Sequence, residues 1–91
     1  MITATDLVEA YSRHPQREIT KGLREQIKHR PREIPAELLD GLTRDQFAAL
    51  EWSERFAHVR RVKRRIVFDG LVALHGPVIM SPEEHARYLA G

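Results

Sequence analysis

Apolar residues recur along this chain at steps of three and four, the period of a helix with one buried face, and proline and glycine cut the pattern into segments. Thr3 or Thr5 is placed to cap a first helix whose Leu7, Val8 and Tyr11 share a face. The stretch RHPQ ends it, because Pro15 suits only a helix start. A second helix is predicted from about Pro15 to His29. Ile19, Leu23 and Ile27 line its inner side, and Arg17, Lys21, Arg24 and Lys28 form a cationic stripe on the other. Pro31 and Pro35 break the pattern and lead into a short apolar turn of helix, AELLDGL.

Thr43 followed by Gln46 is a capping-box signature, and it opens the longest helical pattern in the chain, from Thr43 to about Phe68. Ala48, Trp52, Phe56, Val59, Val62 and Ile66 share one face of that pattern, which assigns Trp52 and Phe56 to the core. After Ile66 the apolar phase slips by one, to Val67, Leu71 and Leu74, beside Asp69-Gly70. Two readings compete there. The segment continues as helix to His75, Gly76 and Pro77, which suit a helix C-terminus, or Asp69-Gly70 makes the tight turn of a short hairpin. The sequence favours the helix, with a kink or break at the slip. Val78 to Met80 then reads as an extended connection, and Ser81-Pro82-Glu83-Glu84 supplies N-cap, first-turn proline and capping glutamate for a final helix through Tyr88.

The expected fold is therefore all-α, a single domain over residues 1–91 with four to five helices and one long central helix; the alternative is α+β with a hairpin around Asp69-Gly70. A chain of 91 residues forms one modest core and buries roughly 60 to 65% of its unfolded surface. A helix from Thr43 to about Phe68 is about 37 Å long at ~1.5 Å per residue, against about 33 Å across for a compact domain of this size. Part of it is expected to overhang and to pair Val59, Val62 and Ile66 with a second copy, as a homodimer.

The net charge of +2 hides a segregated distribution. Residues 36–57 carry two Lys/Arg against five Asp/Glu, whereas residues 58–68 carry five Lys/Arg and no acid. Five cations occupy the six positions from Arg60 to Arg65, interrupted only by Val62. With Val59, Val62 and Ile66 assigned to the core, Arg60, Arg61, Arg64 and Arg65 are expected to be exposed together.

Catalytic chemistry finds little support. The chain has no cysteine, which excludes disulfides, thiolate catalysis and cysteine-held zinc. Its histidines are scattered, and Glu54 with His58 reads as a solvated pair one helical turn apart. Glu83, Glu84 and His85 are adjacent, but capping and the helix dipole account for the acids. No serine sits in a glycine-flanked elbow, and no glycine-rich stretch forms a phosphate loop. Neither an enzyme nor a metal or nucleotide cofactor is expected. With no leader-like start and no run of about 18 apolar residues, the expected location is the cytoplasm, with no membrane partner.

What remains is a non-catalytic regulatory or inhibitory protein that binds an acidic surface of another protein. The expected class is a small effector of the kind encoded by phages or mobile elements. Its partner-binding residues are expected to be Arg60, Arg61, Arg64 and Arg65 on one helix and Arg17, Lys21, Arg24 and Lys28 on the other. The competing reading is a small DNA- or RNA-binding protein whose basic helices meet phosphates. Glu51 and Glu54 on the long helix, and the lack of aromatics among the arginines, weigh against it.

Overall fold

The computed structural model describes residues 1–90, with all their side chains except those of His85, Tyr88, Leu89 and Ala90. The chain is mainly helical. Its elements are β1 (Ile2–Thr3), α1 (Ala4–Arg13), α2 (Lys21–His29), α3 (Arg44–Ala49), α4 (Trp52–His75), β2 (Val78–Ile79) and α5 (Pro82–Ala90), with single 3₁₀ turns at Pro15–Arg17, Pro31–Glu33 and Ala36–Leu38. Contacts gather into two compact units, Glu18–Lys63 and the pair of segments Met1–Arg17 with Arg64–Gly91. Among the described residues no helix is long and apolar enough to cross a membrane.

The unit Glu18–Lys63 opens later than the pattern predicts. Pro15 starts a 3₁₀ turn rather than α2, and the helix begins where the Thr20 hydroxyl accepts a hydrogen bond from the Leu23 N–H at 3.3 Å. Arg17 therefore lies outside the stripe that Lys21, Arg24 and Lys28 form on α2. Asp40 and Gly41 adopt successive left-handed conformations, φ 47° and 87°, and turn the chain into the Thr43 cap. That cap is the predicted box. Thr43 Oγ1 accepts from the Gln46 N–H at 3.0 Å and Gln46 Oε1 accepts from the Thr43 N–H at 2.9 Å.

The helix so capped does not run on to Phe68. It stops at Leu50, which is extended (φ −69°, ψ 152°), and α4 starts afresh at Trp52. Arg55 accounts for the break. Its Nε donates to the Leu50 carbonyl at 2.9 Å and Nη2 to that of Ala48 at 3.0 Å, while Nη1 reaches Ile27 and Lys28 at 3.0 and 3.3 Å. The last carbonyls of two helices, α2 and α3, thus find their donor in one guanidinium fork. The core of this unit is Ile27, Ile34, Leu38, Phe47, Phe56, Val59 and Val62, with Leu23 and Leu50 partly buried against it. Full burial of side chains of this size contributes about 1.5 to 3 kcal/mol each.

In the unit of Met1–Arg17 with Arg64–Gly91, Thr3 caps α1 by exchanging hydrogen bonds with Asp6. Leu7 is buried and Tyr11 half-buried, but Val8, predicted to share their face, is half exposed. Val78–Ile79 is extended as expected and pairs in parallel with Ile2–Thr3, a pairing the sequence does not announce. Ser81 caps α5, its Oγ accepting from the Glu84 N–H at 3.2 Å. The core here is Ile2, Leu7, Val67, Phe68 and Leu71.

Helix α4 passes through Asp69-Gly70 without interruption, so the hairpin alternative is excluded, and it ends where Gly76, at φ 87°, donates its N–H to the Val72 carbonyl at 2.8 Å. Its buried residues change phase after Val62, the last in the first core, to Val67, the first in the second. Ile66, predicted to be core, is 41% exposed as a result.

Candidate partner-binding site

The unit Glu18–Lys63 holds ten Lys/Arg and eight Asp/Glu. Half of these cations have structural employment. Arg55 binds four carbonyls; Arg44 donates to the carbonyls of Arg32 and Ile34 at 2.6 and 2.8 Å. Arg32 pairs with Asp45 at 2.9 Å, Arg30 with Glu33 at 3.4 Å, and Lys63 Nζ donates to the Glu18 carbonyl at 2.8 Å. The other five, Lys21, Arg24, Lys28, Arg60 and Arg61, are all exposed, and among the described residues none of them pairs with a carboxylate.

Four of them, Lys21, Arg24, Lys28 and Arg60, come to one side where α2 lies along the first turns of α4; Arg61, nine residues and so half a turn round from Trp52, points to the opposite side of α4. The Lys28 ammonium stands 5.7 Å from the centroid of the Trp52 ring, and the Arg24 guanidinium 5.6 Å from that of Phe56. Trp52 meets Phe56 edge-on, with centroids 5.7 Å apart. Pairing Lys28 with Trp52, Arg24 with Phe56 and Glu18 with Lys63 sets the two segments antiparallel. Trp52, Phe56 and Arg60 are successive members of one i, i+4 row, so the same register carries Lys21 to the level of Arg60. The result is a row of three cations on α2, continued by Arg60 on α4, with Trp52 and Phe56 alongside.

Trp52 stands at the end of that i, i+4 row and is 56% exposed, whereas Phe56 is buried under it. The core assignment of Trp52 is thus corrected. Of the stripe Trp52, Phe56, Val59 and Val62 the structure buries the last three, whereas Trp52 is the first residue of α4 and lies at the edge of that face. Cations and aromatics, separate along the sequence, are interleaved across the two helices. No breaker residue at Leu50-Glu51 marks the break, at which the Ala48 and Leu50 carbonyls accept from Arg55.

Arg60, Arg61 and Arg65 are exposed as predicted, but Arg64 is not. It is half-buried in the unit of Met1–Arg17 with Arg64–Gly91, its guanidinium 5.2 Å from the Phe68 ring centroid and 5.6 Å from that of Tyr11. Arg64 is a packing residue there. Arg17 and Arg65 belong to the same unit and are exposed. The surface offered for pairing with a second copy is also reduced, because Val59 and Val62 are covered by the chain's own core and only Ile66 remains exposed.

His58 is a second correction. Instead of a solvated partner of Glu54 it is buried, and its Nε2 lies 3.0 Å from the carbonyls of both Leu38 and Leu39, with the ring against Phe47. Two carbonyl acceptors require Nε2 to carry a hydrogen, so His58 caps the end of the Ala36–Leu38 turn. Among the described residues no three His, Asp or Glu side chains gather as a metal site. Glu84 Oε1 accepts from the Ser81 N–H at 3.4 Å, and the His85 side chain lies outside the described residues.

A cleft of about 740 Å³ lies in the unit of Met1–Arg17 with Arg64–Gly91, lined by Leu7, Val8, Phe68 and Met80 together with Arg64 and Arg87. Ser81 in its wall serves as the cap of α5. Compared with protein-family models, curated proteins and solved structures, the chain matches none.

Proposed function

We propose that this is a non-catalytic binding protein that docks on an acidic surface of another protein through Lys21, Arg24 and Lys28 of α2 and Trp52 and Arg60 of α4. The observation that carries the reading is the division of labour among the cations of Glu18–Lys63. Five are hydrogen-bonded or ion-paired within the unit, and of the five exposed without a carboxylate, four lie on the side of a tryptophan that is more than half exposed. Tryptophan and arginine are the residues most enriched where protein interfaces concentrate their binding energy. A regulatory or inhibitory role follows from docking without chemistry, since the face presents no acid, base or nucleophile assembled for a reaction.

A nucleic-acid reading draws on the same residues, because exposed aromatics beside cations are stacking platforms for single strands. The charge of the unit favours protein. Ten Lys/Arg against eight Asp/Glu leave a mosaic, and Glu51 and Glu54 lie within one turn of Trp52, where a uniform polyanion would be repelled. Capture of partners from native host extract by the chain and by a Lys21→Glu/Arg24→Glu/Lys28→Glu variant tests the proposal. A discrete protein retained by the first and lost by the second is expected. A salt titration gives the opposing signature, since retention of nucleic acid that falls steeply with salt marks phosphate binding.

A further inference from the structure

We infer that the element received by this face is an acidic α-helix, with carboxylates at i, i+3 and i+7 aligned on Lys21, Arg24 and Lys28 and an apolar side chain seated on Trp52. The inference rests on the proposed docking function and specifies the shape and chemistry of the partner.

Spacing argues for a helix. Lys21, Arg24 and Lys28 are separated by three and four residues on α2, about 4.5 and 6 Å along its axis. A second helix laid alongside repeats those increments with its own i, i+3, i+7 positions. An extended strand places successive same-face side chains about 6.6 to 6.8 Å apart, so three of them span about 13 Å rather than ~10.5 Å. The helix keeps all three pairs in register.

Charge and shape agree with this. The three α2 cations are exposed and lack carboxylate partners, and Arg60 continues the row on α4. Trp52 is held in place from two sides, by the Phe56 edge and the Lys28 ammonium, which leaves the rest of the indole as a rigid apolar platform. An aromatic anchor flanked by cations is the complement of an amphipathic acidic helix that carries a large aliphatic residue one turn from its acids. Glu51 and Glu54 stand beside Trp52, so at that end the partner carries no acid beyond the one that faces Lys28.

Trp52 is the only tryptophan in the chain, so its fluorescence reports on the site directly. Two peptides of identical composition serve as probes. In one, three glutamates occupy i, i+3 and i+7 of a helix-forming sequence flanked by leucine; in the other the same residues are scrambled so that no two glutamates share a face. A short oligothymidine is the third probe. The patterned peptide is expected to perturb Trp52 and to bind at least about tenfold more tightly than the scrambled one, a difference of ~1.4 kcal/mol. Lys21→Glu/Arg24→Glu/Lys28→Glu abolishes that preference, and the milder Lys21→Gln/Lys28→Gln, checked for unchanged helicity, weakens it. Equal binding of the two peptides overturns the helical register while leaving an acidic protein partner in place. Binding of neither peptide also overturns the inference, and the docking function is then judged by the capture experiment alone. Oligothymidine bound more tightly than the patterned peptide overturns both.

Discussion

The guanidinium of Arg55 donates to the carbonyl of Ile27, 28 residues earlier, at 3.0 Å. The same side chain takes the carbonyls of Lys28, Ala48 and Leu50, and so caps the ends of two helices from the first turn of a third. The position of α2 beside Trp52 and Phe56 depends on it. Arg55→Ala leaves these carbonyls without their donor and is expected to cost about 2 to 3 kcal/mol in urea unfolding. Arg55→Lys recovers little, because an ammonium lacks the planar fork. Wild-type stability in either variant contradicts this account of the break at Leu50.

Continuity of α4 has its own test at Gly70. The glycine is helical and exposed, and an added Cβ meets nothing within 4 Å. Gly70→Ala should therefore raise stability by about 0.5 to 1 kcal/mol. A hairpin turn at Asp69-Gly70 needs a left-handed glycine there and predicts a loss instead. Gly76→Ala, at φ 87°, should destabilise, and thermal melts of the two variants should move in opposite directions.

Two arginines three residues apart should behave differently. Arg61→Glu changes an exposed side chain and should shift stability by less than ~0.5 kcal/mol. Arg64→Glu removes a cation lying over Tyr11 and Phe68 and the aliphatic stem that packs with it. A loss of about 1 kcal/mol or more is expected. Equal effects in denaturant titration would mean that Arg64 has no packing role.

Local signals made much of this fold legible. The boxes at Thr43/Gln46 and Ser81/Glu84 and the stop at Gly76 are complete within a few residues, and the structure keeps all three. The cationic stripe of Lys21, Arg24 and Lys28 was legible for the same reason, being periodic on one helix. Features imposed by distant partners were not. Arg55 also reaches the carbonyls of Ile27 and Lys28 on α2, His58 lies against the carbonyls of Leu38 and Leu39, and Arg64 against two rings of its own unit. Trp52 keeps the predicted phase but stands at the first position of α4, beyond the edge of the core.

His58 makes the tertiary origin of such features measurable. His58→Leu keeps the bulk but removes the only hydrogen on the ring that faces Leu38 and Leu39, and the buried carbonyl groups should then cost about 1 to 3 kcal/mol. Hydrogen exchange should rise first at Ala36–Leu39. A neutral effect on both would return His58 to the surface role that its spacing from Glu54 implied.

The claim that the face around Trp52 receives a protein partner is tested most directly by placing a photo-crosslinking phenylalanine derivative at position 52 in the native host, with Ile79, 58% exposed in the other unit, as the control position. A discrete protein adduct is expected from position 52, lost when Lys21, Arg24 and Lys28 are changed to glutamate, and none from position 79. Adducts to nucleic acid at position 52, or the same protein adducts from both positions, would contradict the claim.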